Sequence, residues 1–257
     1  MSNQSTDVQS AWAFWILEEA AQSQCVLDGL LGMSAFHLRR LQHSDRGHQL
    51  ELSGGLNKGN VSSVAATCAI VSFHTYVNRY FLADEDSQRM PHHWFLSFQR
   101  STRLLSLTLP LIQNSMVRQE FRGFNTTNRT MEHGTHDNPF SFLLYFHPPS
   151  VSPDQEEISI CMQAVVHLSY LHADLTTRKP LCFPAAVSTR FVDLIAAKNP
   201  RALAISGYYF MLIKEGQQFW WVDGAPEREF ALIMSHLPQD WWPAMDWAIR
   251  TLGWTEQ

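Results

Sequence analysis

Apolar residues recur at helical spacing along nearly the whole chain. Between Val8 and Ser23 the positions Trp12, Trp15, Ile16 and Glu19 share one face. From Val26 to Gln42 the set Leu27, Leu30, Leu31, Ser34, Leu38 and Leu41 follows the i, i+3, i+4, i+7 rule. A polar, Gly-rich stretch then ends at Gly54-Gly55 and Lys58-Gly59. Asn60 offers an N-cap for a third helix reaching about Leu82. Pro91 suits the first turn of a fourth helix, Trp94 to about Leu107, and Pro110 separates it from a fifth ending near Arg122. Helical period returns at Asp154 to Leu175. Pro180 and Pro184 mark a turn, and Ser188 caps a short helix to Ala197. Pro200 starts an almost wholly apolar helix, Arg201 to Ile213, which Gly216 ends. Glu227 to His236 and Pro243 to Leu252 close the chain. No alternating β-branched stretch bounded by turn residues survives, so the pattern predicts an all-α fold. The expected architecture is one domain over residues 1–257, a multi-helix bundle around a central apolar helix with an apolar ligand cavity.

One stretch breaks the pattern. From about residue 123 to 155 there is no helical period. Asn, Thr, Gly and His are followed by the aromatic run Phe140 to Phe146 and by Pro148-Pro149 and Pro153. A loop of this length in a compact protein is a lid or a disordered excursion. The phenylalanines at 140, 142 and 146 are the apolar contacts expected of a lid.

Two helices carry more apolar surface than one core face needs. Arg201 to Ile213 has Ser206 as its ordinary polar residue, with Tyr208 and Tyr209 as amphipathic exceptions. The third helix is apolar on most sides but bears Ser63, Thr67, His74 and Asn78 on one side. That stripe is either a solvated edge or a polar strip in an otherwise apolar cavity, the arrangement that lipophilic ligands find in their pockets. His37 and His167 also lie inside apolar helices, where a hydrogen-bonded core role is the ordinary one. On the cavity reading, His74 and Tyr209 are the candidate hydrogen-bond donors. Trp94, Phe210, Trp220, Trp221, Thr67 and Asn78 are the candidate substrate contacts.

Composition narrows the function. Hydrophobic residues make up 45% of the chain and charged ones 17%, with nine Trp and sixteen Phe, which excludes a disordered chain. The net charge of −5 supplies no broad basic face for a phosphate backbone, so no direct nucleic-acid partner is expected. Cys25, Cys68, Cys161 and Cys182 are far apart and form neither a zinc spacing nor a disulfide framework. A reducing, intracellular and cytoplasmic setting follows as the expectation. The polar start MSNQSTDVQS lacks the layout of a secretory signal, and no run of eighteen apolar residues predicts a membrane span. His133, His136 and Asp137, and the pair His92-His93, fall in a turn or in the aperiodic stretch. No metal and no cofactor is expected there. No nucleophile elbow, phosphate loop or dinucleotide fingerprint is present.

Three segments carry a resemblance. Gly29-Leu30-Leu31-Gly32-Met33-Ser34-Ala35-Phe36-His37-Leu38 resembles a helix of the C-terminal regulatory domains of fungal binuclear-zinc-cluster transcription factors of the sterol uptake control type. The Ala/Val/Ser-rich helix after Asn60 is similar to that family's next block. Pro200-Arg201-Ala202-Leu203, Trp220-Trp221 and the closing Leu237, Trp242 and Trp247 resemble its later ones. The resemblance implies an all-α domain with a deep hydrophobic pocket that takes a sterol in some members, and dimerisation. Departures are Arg39-Arg40 in place of a small residue, Tyr208 where a histidine is common, and Gly224-Ala225-Pro226 in place of a Gly-Trp-Gly turn. The six-cysteine DNA-binding cluster is missing from the chain, so its output is expected to be gone.

The main reading from sequence is therefore a stand-alone, cofactor-independent pericyclase of fungal secondary metabolism. It would close a polycyclic or polyene terpenoid or polyketide, Diels-Alder fashion, by confinement and hydrogen bonding. Orientation alone contributes up to about 7–11 kcal/mol to such a reaction. The alternatives are a ligand-sensing regulator without its own DNA-binding domain, which would be nuclear, and a sterol or terpenoid carrier.

Overall fold

The computed structural model describes residues 16, 20, 26, 29, 30, 61, 62, 65, 66, 70, 91–112, 138–147, 154–173, 175, 182–216 and 224–256. Helix takes up 81% of these residues and no strand occurs among them, so the fold is all-α as the periodicity predicts. The described α-helices are α1 (His92–Thr108), α2 (Phe142–Tyr145), α3 (Gln155–Ala173), α4 (Cys182–Ala186), α5 (Thr189–Ala196), α6 (Pro200–Glu215), α7 (Ala225–His236) and α8 (Asp246–Leu252). Two 3-10 segments, Leu109–Leu111 and Gln239–Met245, follow α1 and precede α8. None of the described helices is long and apolar enough to cross a membrane.

The chain folds as two compact units. The first comprises residues 1–81 and 97–126. Its described positions at 16, 20, 26, 29, 30, 61, 62, 65, 66 and 70 are all helical. Ala20, Val26, Val61, Ala65, Ala66 and Ile70 are buried there. Gly29 lies against Ile70, where a Cβ would stand 3.2 Å from the isoleucine Cγ2, so glycine lets the two segments approach closely.

The second unit comprises residues 82–96 and 127–257 and is organised on α6. Every residue from Arg201 to Ile213 is buried. A helix apolar on all sides must be surrounded on all sides. Helices α3, α7 and α8, the 3-10 segment 239–245, α2 and α5 all pack on it. At Gly207 an added Cβ would fall 2.6 Å from Met245 Cε and 3.2 Å from the Phe230 ring, which marks where α7 and the 3-10 segment come closest.

The ends of these helices follow from local chemistry. Ser188 accepts a hydrogen bond from the Phe191 N–H at 3.1 Å and so caps α5. The turn into α6 takes Lys198 through the left-handed region at φ 57. Asn199 then caps α6 by accepting from the Ala202 N–H at 3.1 Å, with Pro200 in the first turn. Gly216 ends α6 by donating its N–H to Leu212 O at 3.0 Å, on the ordinary right-handed side of φ. Asp154 holds the start of α3 through the Glu156 N–H at 2.9 Å.

Three boundaries differ from the sequence expectation. Pro184, expected in a turn, sits inside the first turn of the short α4, where the missing N–H costs no intrahelical bond. The closing helix, expected from Pro243, becomes α-helical only at Asp246, because Pro243 lies within the 3-10 segment. Within the aperiodic stretch, residues 138–147 form a turn and the four-residue α2, packed on the central helix. The rest of that stretch, at 123–137 and 148–153, lies outside the described residues.

The caps give a graded test. Asn199 also donates to Glu157 Oε2 at 2.7 Å, whereas Ser188 acts locally. Ser188→Ala is expected to cost about 1 kcal/mol. Asn199→Ala is expected to cost about 2 kcal/mol, since it also removes a hydrogen bond to a carboxylate. Urea denaturation of both variants measures the order.

Candidate functional site

Successive residues on a helix point about 100° apart, so neighbouring aromatics on α6 enter different surroundings. Tyr208 and Tyr209 are both fully buried, and each anchors its own aromatic cluster.

Tyr209 lies in the first. Its ring stacks on Phe183 of α4 with centroids 4.5 Å apart and planes 16° apart. The edge of Phe95 of α1 meets it at 5.8 Å, and Phe210 lies tilted at 5.0 Å. Phe183 in turn contacts Phe95 and, through its edge, Phe191 of α5. At a stacking distance of 4.5 Å no substrate ring fits between Tyr209 and Phe183. Phe210 is fully buried beside it. Thus the structure brings together two of the candidate site residues, Tyr209 and Phe210. Trp94 occupies a backbone position in α1 next to Phe95. His74, Thr67, Asn78, Trp220 and Trp221 lie outside the described residues, as do His37 and the His133, His136 and Asp137 group.

Tyr208 lies in the second cluster. Its hydroxyl donates to Ala244 O at 2.8 Å. Around its ring stand Phe140 at 5.6 Å, Phe142 at 5.7 Å and Trp247 at 5.8 Å. Phe140 and Trp247 stack in parallel planes at 5.5 Å, and His172 meets both rings edge-on. Phe146 packs against Trp241 at 5.1 Å. All three phenylalanines expected of a lid therefore contact the rings of α6, α8 and the 3-10 segment before α8.

The sequence reading assigned no role to the charged centre beside this cluster. Arg201, at the start of α6, is 2% exposed. Its Nε donates to Glu157 Oε1 of α3 at 2.7 Å. One Nη donates to three carbonyl oxygens, those of Leu143, Leu144 (2.8 Å) and Phe146 (3.0 Å). The guanidinium lies 5.3 Å from the centre of the Trp241 ring. Glu157 sits in the first turn of α3, where the helix dipole favours an acid. The structure adds that it holds Asn199 and Arg201 together. The signal available in the sequence was an arginine one residue inside a helix otherwise apolar all round. Such a charge has to find a partner.

Cys161, Tyr208, His167 and His236 move toward their neutral forms. Burial pushes the Cys161 thiol up to about 12, with the negative charge of Glu157 adding to it, so no thiolate nucleophile forms near neutral pH. Burial also raises the Tyr208 phenol above its ordinary range. His167 falls to about 4 through burial, and its Nε2 is buried without a hydrogen-bond partner among the described residues. His236 is lowered by burial and by Lys198. A general acid or base works best with a pKa near the operating pH, and these shifts lead away from it. Among the described residues no group of three His, Cys, Asp or Glu is placed to hold a metal ion.

His167 makes a pH test. Its folded pKa lies below the unfolded value of 6.5, so between about 4 and 6.5 the unfolded chain binds more protons. Stability is then expected to fall as pH falls through that window, by roughly 2–4 kcal/mol, and to be unaffected by this group above it. His167→Gln should flatten that part of the stability-versus-pH curve. Unfolding midpoints of both proteins from pH 4 to 8 provide the comparison, and parallel curves would refute it.

No family model matches the chain, and no solved structure matches it. Among curated proteins it is similar to a Zn(2)-C6 fungal-type transcription factor of Gibberella zeae, with 24% identity over 255 residues. That match covers 87% of this chain and 52% of the relative, so the chain spans about half the length of the curated relative it matches. The similarity supports relatedness to fungal transcription factors.

Proposed function

We propose that this chain is a regulatory α-helical domain of the fungal transcription-factor type, responding to a lipophilic polycyclic or polyene small molecule and acting through protein contacts. The observation that carries the reading is the similarity to a transcription factor along 87% of the chain. The net charge of −5 and four scattered cysteines supply neither a basic DNA face nor a six-cysteine zinc cluster within these residues. The comparison favours this alternative over the cyclase placed first on sequence, for which it offers no support. The shifted side chains of the described site also lack the poise of acid–base catalysts. Under this reading the protein works in the nucleus and pairs as a homodimer. Thr67, His74, Asn78, Trp94, Trp220 and Trp221 then serve as ligand contacts rather than as catalysts, while Tyr209 and Phe210 belong to the packed core.

The test fuses the chain to a heterologous DNA-binding domain upstream of a reporter in a fungal host. Sterols and polyene terpenoids are then supplied one at a time. Reporter output is expected to change at least fivefold with an active compound, and the purified protein should return that compound chemically unchanged. A silent reporter together with conversion of a polyene to a cyclised product would overturn the regulator and restore the enzyme.

A further inference from the structure

The segment 138–147 is attached to the second unit in an unusual way. Its only helix, α2, has four residues, too few to hold together alone. Its local hydrogen bonds are turn-like, running from the Ser141 N–H to Asn138 O, from Leu143 to Phe140 O, from Leu144 to Ser141 O and from Phe146 to Phe142 O. The remaining attachments reach far along the chain. At one end Asn138 donates to Val165 O of α3 at 3.1 Å and accepts from the Phe140 N–H at 2.9 Å. At the other end Arg201 takes the carbonyls of Leu143, Leu144 and Phe146. Between them Phe140, Phe142 and Phe146 rest on Trp247, Tyr208 and Trp241.

This is how a short helical peptide binds a groove: aromatic anchors go into apolar sites, and a charged side chain caps the carbonyl end. We propose that residues 138–147 act as an internal latch, a peptide-like occupant of a groove floored by Tyr208 and walled by Trp241, Trp247 and Arg201. It opens as a unit while α6 stays folded. The groove it leaves takes a partner segment of the same chemistry, a short helical turn with spaced aromatic residues whose last carbonyls meet Arg201. The physical ground is uneven stability. The latch is held by two end clamps, by the rings of Phe140, Phe142 and Phe146 and by the buried Leu143 and Leu144, and its own backbone bonds close only single turns, whereas α6 is a helix of 16 residues buried on every side. The proposal goes beyond the regulatory reading and is tested without any reporter.

The first measurement is hydrogen exchange of the full chain, with mass spectrometry across a urea series. Amides in 138–147 are expected to exchange at least tenfold faster than those in 201–213, with a weak dependence on urea. Equal rates with equal urea dependence would show that the segment opens only when the unit unfolds, and would overturn the latch. The second measurement uses a fluorescent synthetic peptide with the sequence of residues 138–147. It is expected to bind Asn138→Ala at least tenfold more tightly than the unaltered chain, because that substitution loosens the latch and leaves Tyr208, Trp241, Trp247 and Arg201 in place. The same peptide with its three phenylalanines replaced by alanine should not bind. Equal binding to both proteins would overturn the proposal. Should Asn138→Ala not fold, the exchange experiment on the unaltered chain decides alone.

Discussion

A buried guanidinium sets the terms for the second unit. Taking a charge out of water costs several kcal/mol unless strong partners replace the solvent. Arg201 stands at the N-terminal end of α6, where the helix dipole disfavours a cation. Three features offset that position. The carboxylate of Glu157 lies against Nε. The carbonyl end of α2, negative by the same dipole argument, lies against Nη. The face of Trp241 covers the planar group. Glu157 itself sits in the first turn of α3, where a negative charge is favoured. One ion pair thus joins the starts of α3 and α6 to the end of α2, and the rest of α6 is left free to be apolar.

Among the described residues, aromatic rings gather on both sides of that helix. Tyr208 and Tyr209 are adjacent in sequence, but the helical turn sends one ring toward Phe140, Phe142 and Trp247 and the other toward Phe95, Phe183 and Phe210. Edge-to-face and offset arrangements predominate, as the ring quadrupole favours. The two tyrosines differ in what their surroundings do with them. Tyr208 is fixed through its hydroxyl to Ala244 O, so it braces the 3-10 segment against α6. Tyr209 is fixed through its ring face, stacked on Phe183. Beside these rings, desolvation holds the Cys161 thiol and the Tyr208 phenol in their neutral forms.

Much of this was legible in the residues themselves. The 3.6-residue period located α1, α3, α5, α6 and α7 to within a few positions, because an amphipathic or wholly apolar face repeats only at that spacing. Ser188, Pro200 and Gly216 marked helix ends because side-chain acceptors, a missing N–H and a small residue act locally, and Asp154 at the start of α3 did the same. The burial of Arg201 to Ile213 followed from apolarity on every side. Boundaries failed where proline tolerates two geometries. Pro184 enters a first helical turn, and Pro243 sits in a 3-10 segment, and local sequence does not separate these from a turn or an α-helical start.

The remaining features needed the tertiary structure. Aperiodic residues 138–147 form a part-buried turn and short helix because their partners lie on α3, α6, α8 and the 3-10 segment before α8, far away in the chain, and periodicity is blind to such contacts. Arg201 and Glu157 are forty-four positions apart, so neither residue alone foretells the pair. The face each tyrosine presents is fixed by which helices pack on α6, a property of the assembled unit. The sequence by itself determined that the chain is helical and that one helix must be enclosed. Only the folded structure decided what encloses it, because long-range pairing is selected by packing and charge neutralisation across the unit rather than by local propensity.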